Sequence, residues 1–411
     1  MTEKEKVLNA IDALKDEAID LMKNLIAINS IGPQNDGPGE GQKAQFLIDY
    51  LKNCGFDDVV NLPAPYDAQG VKDRPNVILR MPGAGSGKEK RLWILSHLDV
   101  VPEGDLKQWQ TPPFEPVIKN GRIYGRGSED NLQGLVASVI TARAFNESGV
   151  QPVNSLSLAM VSDEETGSQY GLNYLLNRHP ELFNKEDLFI VPDSGSPDSR
   201  MMEIAEKSIL WVEFKTIGKQ VHGSTPHLGK NAFKAAANLI TKLESLYRRF
   251  DKKEDLFDPP ISTFEPTKKL ANVPNINTIP GEDVFYFDCR ILPVYKLEDI
   301  LSEIDRLIQE VERQFQVSVS VSFPQKEEAA PATPKDAPVV RALDRAIRDI
   351  YHVEPEVKGI GGGTVAAYFR KKGFPTVVWA TLDDMAHQPN EYCVLDNLLK
   401  DAKVFALVAL R

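Results

Sequence analysis

The sequence contains little cysteine, and this excludes a disulfide-stabilised scaffold. Its three cysteines, Cys54, Cys289 and Cys393, are widely separated in a chain of 411 residues. An odd and sparse set does not form a disulfide framework, and no two of these residues have the spacing of metal ligands. We expect all three to be buried or inert thiols.

Long apolar runs are also missing. The sequence has no stretch of about 18 apolar residues, so it predicts no membrane-spanning helix. Residues 1–27 follow the pattern of a charged amphipathic helix and lack the apolar block of a signal peptide. These features predict a cytoplasmic protein without a membrane partner.

The charge balance lacks the basic excess that is typical of nucleic-acid binding. The formal net charge is −11, from 48 Lys and Arg against 59 Asp and Glu. We therefore expect no nucleic-acid partner, because such proteins present a basic face. A small substrate is compatible with this charge, since a single arginine can dominate a binding site locally.

The first half of the chain alternates between helical and strand patterns. Apolar residues at helical spacing predict helices at 1–27, 40–54, 132–145 and 170–178. Short apolar runs predict strands at 76–80, 92–96, 156–161 and 188–191. Alternating helices and strands predict an α/β sandwich with a largely parallel sheet.

The pattern changes after about residue 207 and changes back further along the chain. The middle region predicts strands at 209–217, 284–292 and 317–323 and helices at 231–249 and 297–315. A Pro-rich polar segment, 324–338, is typical of a linker and is followed by further α/β pattern, which includes a strand at 376–380. We therefore predict an α/β domain, 1–207 and 324–411, interrupted by an α+β domain, 208–323.

Four predicted strands are followed by side chains that commonly bind metal ions, and one more carboxylate lies just before a helix. These residues are His97, Asp99, Asp130, Glu164, Glu165, Asp193 and His387. Taken alone, each of these residues is more often an ordinary structural residue. Their shared position is informative, because ligands in open α/β sheets bind beyond the carboxyl ends of the strands. Converging carboxylates need a cation to neutralise them. Mixed histidine and carboxylate donors suit zinc, with manganese or cobalt as alternatives.

Several segments resemble motifs of one family of co-catalytic zinc hydrolases. The family includes succinyl-diaminopimelate desuccinylase, acetylornithine deacetylase, aminoacylase, carboxypeptidase G and several dipeptidases. The matching segments follow the family order: SHLDVVP (96–102), GRGSEDNLQG (125–134), SDEETGS (162–168), VPDSG (191–195), HGSTPHLGKNA (222–232), NINTIPG (275–281), FDCR (287–290), GGGT (361–364) and AHQPNEY (386–392). The resemblance implies a three-layer catalytic domain with an inserted α+β lid and dimerisation domain at 208–323.

The resemblance also implies two zinc ions per subunit, with cobalt or manganese as substitutes. His97 and Asp193 would hold one ion, and Glu165 and His387 the other. Asp130 would bridge the two ions. In the family the peptide bond after this aspartate is often cis.

Three more residues receive catalytic roles from the resemblance. Glu164 would act as the general base towards the attacking water. Asp99 would accept the second imidazole N–H of His97 and fix the orientation of that ring. His222, in the lid, would reach the oxyanion, usually from the partner subunit, which implies a homodimer.

Recognition of the substrate carboxylate falls to a further set of residues. Arginine offers a two-pronged fork for a carboxylate, and a glycine-rich turn exposes backbone N–H groups. The resemblance assigns this role to Arg290, Asn277, Gly362, Gly363 and Thr364.

Two functional subclasses remain open, together with one different class. The compact length favours an N-acyl amino acid deacylase of the desuccinylase or deacetylase type. Asp193 favours an aminopeptidase or dipeptidase, because deacylases and carboxypeptidases of this family often carry glutamate there. A small-ligand binding protein without catalysis is the third alternative, and the complete set of predicted ligands argues against it.

Two glycine-rich segments imitate nucleotide-binding motifs. In 82–90, Pro82 stands where a phosphate-binding loop requires glycine, and Glu89 replaces the Ser or Thr, so we predict a turn. In 359–364, Thr364 replaces the last glycine of a dinucleotide fingerprint. Neither segment predicts a nucleotide cofactor.

Overall fold

The structure, a computed structural model, describes residues 1–85 and 90–411. Their contacts divide them into unit 1, Met1–Ile204, Thr333–Val357 and Thr364–Arg411, and unit 2, Ala205–Ala332 and Lys358–Gly363. The domain predicted at 208–323 falls within unit 2, and the turn predicted across 82–90 includes residues 86–89, which lie outside the described part. Among the described residues, no helix combines the length and the apolarity needed to cross a membrane.

The described chain forms the following α-helices: α1 Glu3–Ala13, α2 Lys15–Ala27, α3 Gly41–Asn53, α4 Leu132–Ser148, α5 Leu172–Arg178, α6 Ala232–Leu243, α7 Leu246–Arg249, α8 Leu297–Phe315, α9 Pro338–Tyr351, α10 Ala366–Lys371 and α11 Leu395–Ala409. The strands are β1 Val59–Asn61, β2 Ala64–Ala68, β3 Val71–Arg74, β4 Val77–Met81, β5 Arg91–His97, β6 Val117–Lys119, β7 Arg122–Tyr124, β8 Ser155–Val161, β9 Leu188–Gly195, β10 Met201–Glu206, β11 Ser208–Ile217, β12 Val221–His222, β13 Thr263–Lys269, β14 Thr278–Ile279, β15 Glu282–Ile291, β16 Ser318–Glu327, β17 Glu356–Ile360, β18 Thr376–Ala380 and β19 Tyr392–Val394.

The larger sheet has eight strands in the order β1-β4-β8-β5-β9-β18-β10-β17. Its centre is parallel, because β5 pairs in parallel with both β8 and β9, and β9 pairs in parallel with β18. The strands outside this centre that pair with it, β4 and β10, are antiparallel to β8 and β18. This topology confirms the predicted α/β class and puts the carboxyl ends of four strands at one edge.

Helices cover both faces of the central strands. On one face, Trp93 and Phe189 pack in a cluster with Leu172 of α5 and Phe369 of α10. Successive side chains of a strand point to opposite faces, so alternate residues such as Ile94 face the other way. Helix α4 contacts β5, β8 and β9 and is itself covered by α1, α2 and α11. Because of this cover α4 is buried on every side from Leu132 to Phe145.

Unit 2 is built on an antiparallel sheet in the order β13-β15-β11-β16. Helices α6 and α8 pack against each other, and together they contact β11, β15 and β16. The core between helices and sheet includes Phe214, Phe285 and Leu239. The alternation predicted around 317–323 follows from this arrangement, since Val319 and Val321 of β16 pack against the core while the serines between them face away.

Two helices predicted as continuous are interrupted. The first breaks at Leu14 (φ −85°, ψ 9°), where α1 ends and α2 begins. The second breaks between α6 and α7, at residues 244–245. In both cases the two parts pack on different neighbours: α1 also contacts α11, and α7 contacts β13 whereas α6 contacts α8. The predicted linker is also shorter, because β16 continues to Glu327.

The aromatic core of unit 2 allows a test of stability. Phe214 is buried and stacks on Phe285 with ring centroids 4.8 Å apart. We expect Phe214→Ala to lower the free energy of unfolding by about 3–5 kcal/mol, because it removes buried apolar surface and leaves a cavity. Denaturant titration followed by fluorescence measures this change.

The matched control is Phe233→Ala, since Phe233 lies in the same unit with 47% of its surface exposed. This substitution should lower the free energy of unfolding by less than about 1 kcal/mol. Equal costs for the two variants would contradict the assigned core of unit 2.

Candidate metal centre

The parallel strands bring most of the predicted ligands to one edge of the larger sheet. His97 is the last residue of β5, and Asp193 lies near the end of β9. Glu164 and Glu165 begin a short 3-10 turn, Glu164–Thr166, that follows β8. His387 lies in the loop after β18.

Asp130 lies between the two histidines. Its Oδ1 is 2.9 Å from Nε2 of His97, and its Oδ2 is 3.2 Å from Nε2 of His387. Each imidazole has a second carboxylate beside the same nitrogen. Asp193 Oδ1 lies 3.4 Å from His97 Nε2, and Glu165 Oε2 lies 3.1 Å from His387 Nε2. The result is two pairs of donors that share one carboxylate.

The donor set fits divalent metal ions. Tetrahedral ligands about 2.0–2.1 Å from zinc are about 3.3 Å from each other, close to the separations observed here. Glu165 Oε1 is buried and, among the described residues, has no hydrogen-bond partner. Ligand atoms of His97, Asp130 and Glu165 all lie within 4.8 Å of one another. Imidazole and carboxylate donors at such spacing suit zinc and other divalent transition metals.

The electrostatics of the cluster favour positive charge. Hydrogen bonding to Asp130, and then to Glu165, raises the pKa of His387 to about 10. Burial lowers the pKa of His97, but contacts with Asp130, Asp193 and Asp99 outweigh it and leave the pKa well above its ordinary value. Burial, followed by the charge of Asp130, raises the pKa of Glu165 to about 7. The edge therefore attracts cations, whether protons or metal ions.

Asp99 contacts the centre differently from the sequence prediction. The nearest acceptor for Nδ1 of His97 is the main-chain oxygen of Asp99, at 2.9 Å, while the carboxylate Oδ1 lies at 3.6 Å. The carboxylate instead accepts the backbone N–H groups of Glu164 and Glu165, each at 3.1 Å. Asp99 thus orients His97 through its main chain and the glutamate turn through its side chain.

Glu164 lies beside the same cluster. One of its oxygens groups with donor atoms of His97 and Asp193 within 4.8 Å. Burial, and after it the charge of Asp193, raises the pKa of Glu164 well above its ordinary value. At this distance Glu164 could bind a metal ion itself or face a water molecule beside one.

Further residues hold the loop of Asp130, and the sequence analysis assigned them no role. The buried Glu391 accepts the backbone N–H of Gly127 at 2.9 Å and that of Asp130 at 3.0 Å, and pairs with Arg126. Asn131 donates to Asp193 Oδ1 at 2.7 Å. Glu391 and Asn131 both lie in segments that resemble family motifs, and this resemblance was the only signal in the sequence that could have indicated them. The peptide bond between Asp130 and Asn131 is cis.

Most of the predicted substrate-binding residues belong to unit 2, and Thr364 belongs to unit 1. The guanidinium of Arg290 binds the carboxylate of Asp288 through Nε (2.7 Å) and Nη2 (3.0 Å), and its Nη1 donates to the Gly361 carbonyl (2.9 Å). Asn277 Oδ1 accepts a hydrogen bond from Asn275 at 2.6 Å. Gly362 and Gly363 follow Gly361 in the turn after β17.

His222 lies in unit 2, at the end of β12, which pairs with β14. Its Nδ1 accepts the backbone N–H of Ser224 at 3.1 Å and lies 2.7 Å from the Ser224 hydroxyl. A nitrogen that accepts from a backbone N–H carries no proton of its own. The neutral ring therefore carries its proton on Nε2.

Comparison with known proteins identifies the family. Residues 93–411 match the model of peptidase family M20/M25/M40. An uncharacterised metallohydrolase of Methanocaldococcus jannaschii is 43% identical over 95% of this chain and 98% of its own length. Succinyl-diaminopimelate desuccinylase of Nautilia profundicola is 28% identical over 94% and 97% of the two chains. The crystal structure of human carnosine dipeptidase 1 superposes with a TM-score of 0.75 at 18% identity, over 100% and 98%.

The chain belongs to peptidase family M20/M25/M40. It is a metal-dependent hydrolase of amide or peptide bonds, as the resemblance predicts, and the alternative of a non-catalytic binding protein does not stand. The three-layer fold predicted for the catalytic domain is confirmed.

The two adjacent glutamates are predicted to have different roles. We expect Glu165→Gln to lose bound metal, because it removes a negative charge from the oxygen that faces His387. Glu164→Gln should keep its metal and its fold but lose at least about 10²–10⁴-fold in turnover, the usual effect of removing a general base. Elemental analysis and steady-state kinetics measure both. If both variants lost metal equally, Glu164 would be a ligand instead.

Proposed function

We propose that this protein uses two zinc ions to hydrolyse the linear amide bond of an N-acyl amino acid. The observation that carries the proposal is the position of Asp130, which directs one carboxylate oxygen to each of two imidazole-carboxylate pairs. Such a shared carboxylate is the arrangement expected between two metal ions, whereas one ion requires no bridge.

The proposed ligands divide into two groups. His97 and Asp193 hold one ion, Glu165 and His387 hold the other, and Asp130 is common to both. When bound, the ions polarise the scissile carbonyl and lower the pKa of a water molecule. The protein supplies a rigid frame for them, since His97 ends a buried strand and Asp193 is held by Asn131.

The proposed general base is Glu164. Its carboxylate accepts a proton from the attacking water and later gives that proton to the leaving nitrogen, so it is restored at the end of each cycle. Asp99 fixes the turn of Glu164 by accepting two successive backbone N–H groups. These bonds hold the backbone from which the Glu164 side chain extends.

The proposed recognition of the substrate carboxylate rests on Arg290. Five N–H groups belong to its guanidinium, and Asp288 and Gly361 accept three of them in the described part of the chain. Two N–H groups therefore remain for a ligand, and Asp288 holds the plane of the guanidinium in place. Asn277 and the turn of Gly362, Gly363 and Thr364 complete the proposed carboxylate site.

A dipeptidase or other small-peptide hydrolase is the second candidate function. Asp193 favours it, and the carnosine dipeptidase superposes over the full chain. We favour deacylation because the desuccinylases are relatives in sequence over nearly the whole length. The two candidates share the metal centre and differ only in the substrate that the recognition residues accept.

A substrate panel tests the proposal directly. The protein, loaded with zinc, should hydrolyse N-acetyl or N-succinyl amino acids faster than dipeptides, and a chelator should abolish the turnover. Elemental analysis should find about two metal ions per chain. Faster cleavage of dipeptides would select the second candidate, and an active protein without transition metal would reject the metal centre altogether.

Unit 2 is proposed to act as a lid that also forms a homodimer. Its sheet ends in β13 and β16, and outer strands of this kind pair readily with another chain. His222 carries its proposed donor on Nε2, where it suits an oxyanion. The resemblance implies that it acts in the active site of the partner subunit.

Exchange between inactive subunits tests whether His222 acts across the dimer. We expect His222→Ala and Glu164→Gln each to be nearly inactive alone, and their mixture to regain activity. A mixed dimer would combine one intact metal centre with one intact lid only if His222 acts in trans. Absence of recovery, with exchange confirmed by mass spectrometry, would assign His222 to its own subunit and leave the metal chemistry unaffected.

A further inference from the structure

His387 is fixed less firmly than the other proposed ligands. Its side chain is 57% exposed, whereas that of His97 is 2% exposed. Its Nδ1 has no hydrogen-bond partner in the part of the chain that the structure describes. Packing therefore does not hold this ring, and its place depends on the backbone of the loop that carries it.

That loop has an unfavourable backbone conformation. Asp384, His387 and Asn390 all have φ of 63°, in the left-handed region that residues with a Cβ seldom adopt. Three such residues within seven positions persist only where surrounding contacts hold them. The loop between β18 and β19 thus requires anchors.

Glu129 provides an anchor from the neighbouring loop. Its buried carboxylate accepts the backbone N–H of Asp383 at 2.6 Å through Oε1 and that of Met385 through Oε2. A carboxylate that accepts two backbone N–H groups makes strong, directional hydrogen bonds. Met385 is two residues before His387, so these bonds act directly on the segment that presents the imidazole.

The contact is reciprocal. Glu391, at the far end of the His387 loop, accepts the backbone N–H groups of Gly127, Glu129 and Asp130 at 2.9–3.0 Å. Each of the two loops therefore contributes one buried carboxylate that binds the backbone of the other. Glu129 lies next to Asp130, so one short segment carries both the proposed bridging carboxylate and the carboxylate that binds the His387 loop.

We infer that Glu129 is a positioning residue for His387 and that it determines the affinity of the metal position formed by Glu165 and His387. This inference rests on the proposed two-metal function. We expect the position formed by His97 and Asp193 to depend less on Glu129, because His97 is fixed by β5 and by Asp99, and Asp193 accepts a hydrogen bond from Asn131.

Metal binding to Glu129→Gln tests the inference without measuring activity. The amide keeps the size of the side chain but offers one acceptor oxygen where two are needed. We expect one ion to bind as in the wild type and the dissociation constant of the second to rise about 10–100-fold, as for other residues that support ligands. Zinc titration of the metal-free protein against a chromophoric chelator gives both constants.

Two control variants make the result specific. Glu115→Gln changes an exposed glutamate of the same unit and should leave both constants unchanged. Glu391→Gln disturbs the loop of the bridging Asp130 and should weaken both positions. If Glu129→Gln left both constants unchanged, or weakened both equally, the inference would be wrong. A wild-type protein that binds fewer than two ions would reject the proposed function instead.

A second measurement covers the case in which Glu129→Gln does not fold. Glu129→Asp keeps the charge but withdraws the oxygens by one methylene, so the same selective loss is expected. In the metal-free wild type, the amide protons of Asp383 and Met385 should exchange with solvent slowly. Rapid exchange at both amides would show that Glu129 does not hold the loop and would overturn the inference.

Discussion

The convergence of negative charge at the carboxyl edge of the larger sheet constrains the rest of unit 1. Parallel pairing of β8, β5, β9 and β18 forces their carboxyl ends together, and the chain places carboxylates or imidazoles after each of them. Charges held this close are unfavourable unless cations or hydrogen bonds compensate them. Hydrogen bonds from neighbouring loops to buried carboxylates provide much of this compensation.

The compensation comes mainly from the backbone. Asp99, Glu129 and Glu391 all accept backbone N–H groups from segments that carry ligands or the base. The backbone donors replace part of the hydration that such a carboxylate loses, although burial still raises the pKa of Glu129 to about 7 and that of Glu391 above its ordinary value. The same bonds give precise positions to loops that regular secondary structure does not hold. The same hydrogen bonds therefore stabilise the buried negative charges and position the residues of the site.

The sequence was sufficient to predict the α/β class and the strands that lead to the centre. Strand 376–380 and helix 297–315 agree with β18 and α8 at both ends, because their apolar periodicity is strong. The breaks after Ala13 and Leu243 were not predictable, since they depend on which neighbours each part contacts. The family model confirms the hydrolase class that the motifs indicated.

The roles of Glu129 and Glu391 could not be predicted from the sequence, for a different reason. Glu129 and Glu391 stand inside recognised motifs, but their partners are backbone N–H groups, which every residue except proline possesses. No spacing of side chains can reveal such a contact. Asp288 differs from them, because residues 288 and 290 of the predicted strand 284–292 share a face, and their ion pair was therefore open to prediction.

The distribution of fixed counter-charges among the described residues of unit 1 also favours the binding of a cation at this edge. Glu391 is paired with Arg126, and Glu40 is paired with the buried Arg74. The buried Lys43 adds positive charge near Asp99, Glu40 and Glu391, and burial lowers its pKa to about 8 against their opposing effect. The carboxylates of Asp130, Glu165 and Asp193 face imidazoles and a single amide instead. Asp130, Glu165 and Asp193 therefore lack, among the described residues, the fixed arginine partner that Glu391 and Glu40 have, and a divalent cation would neutralise them.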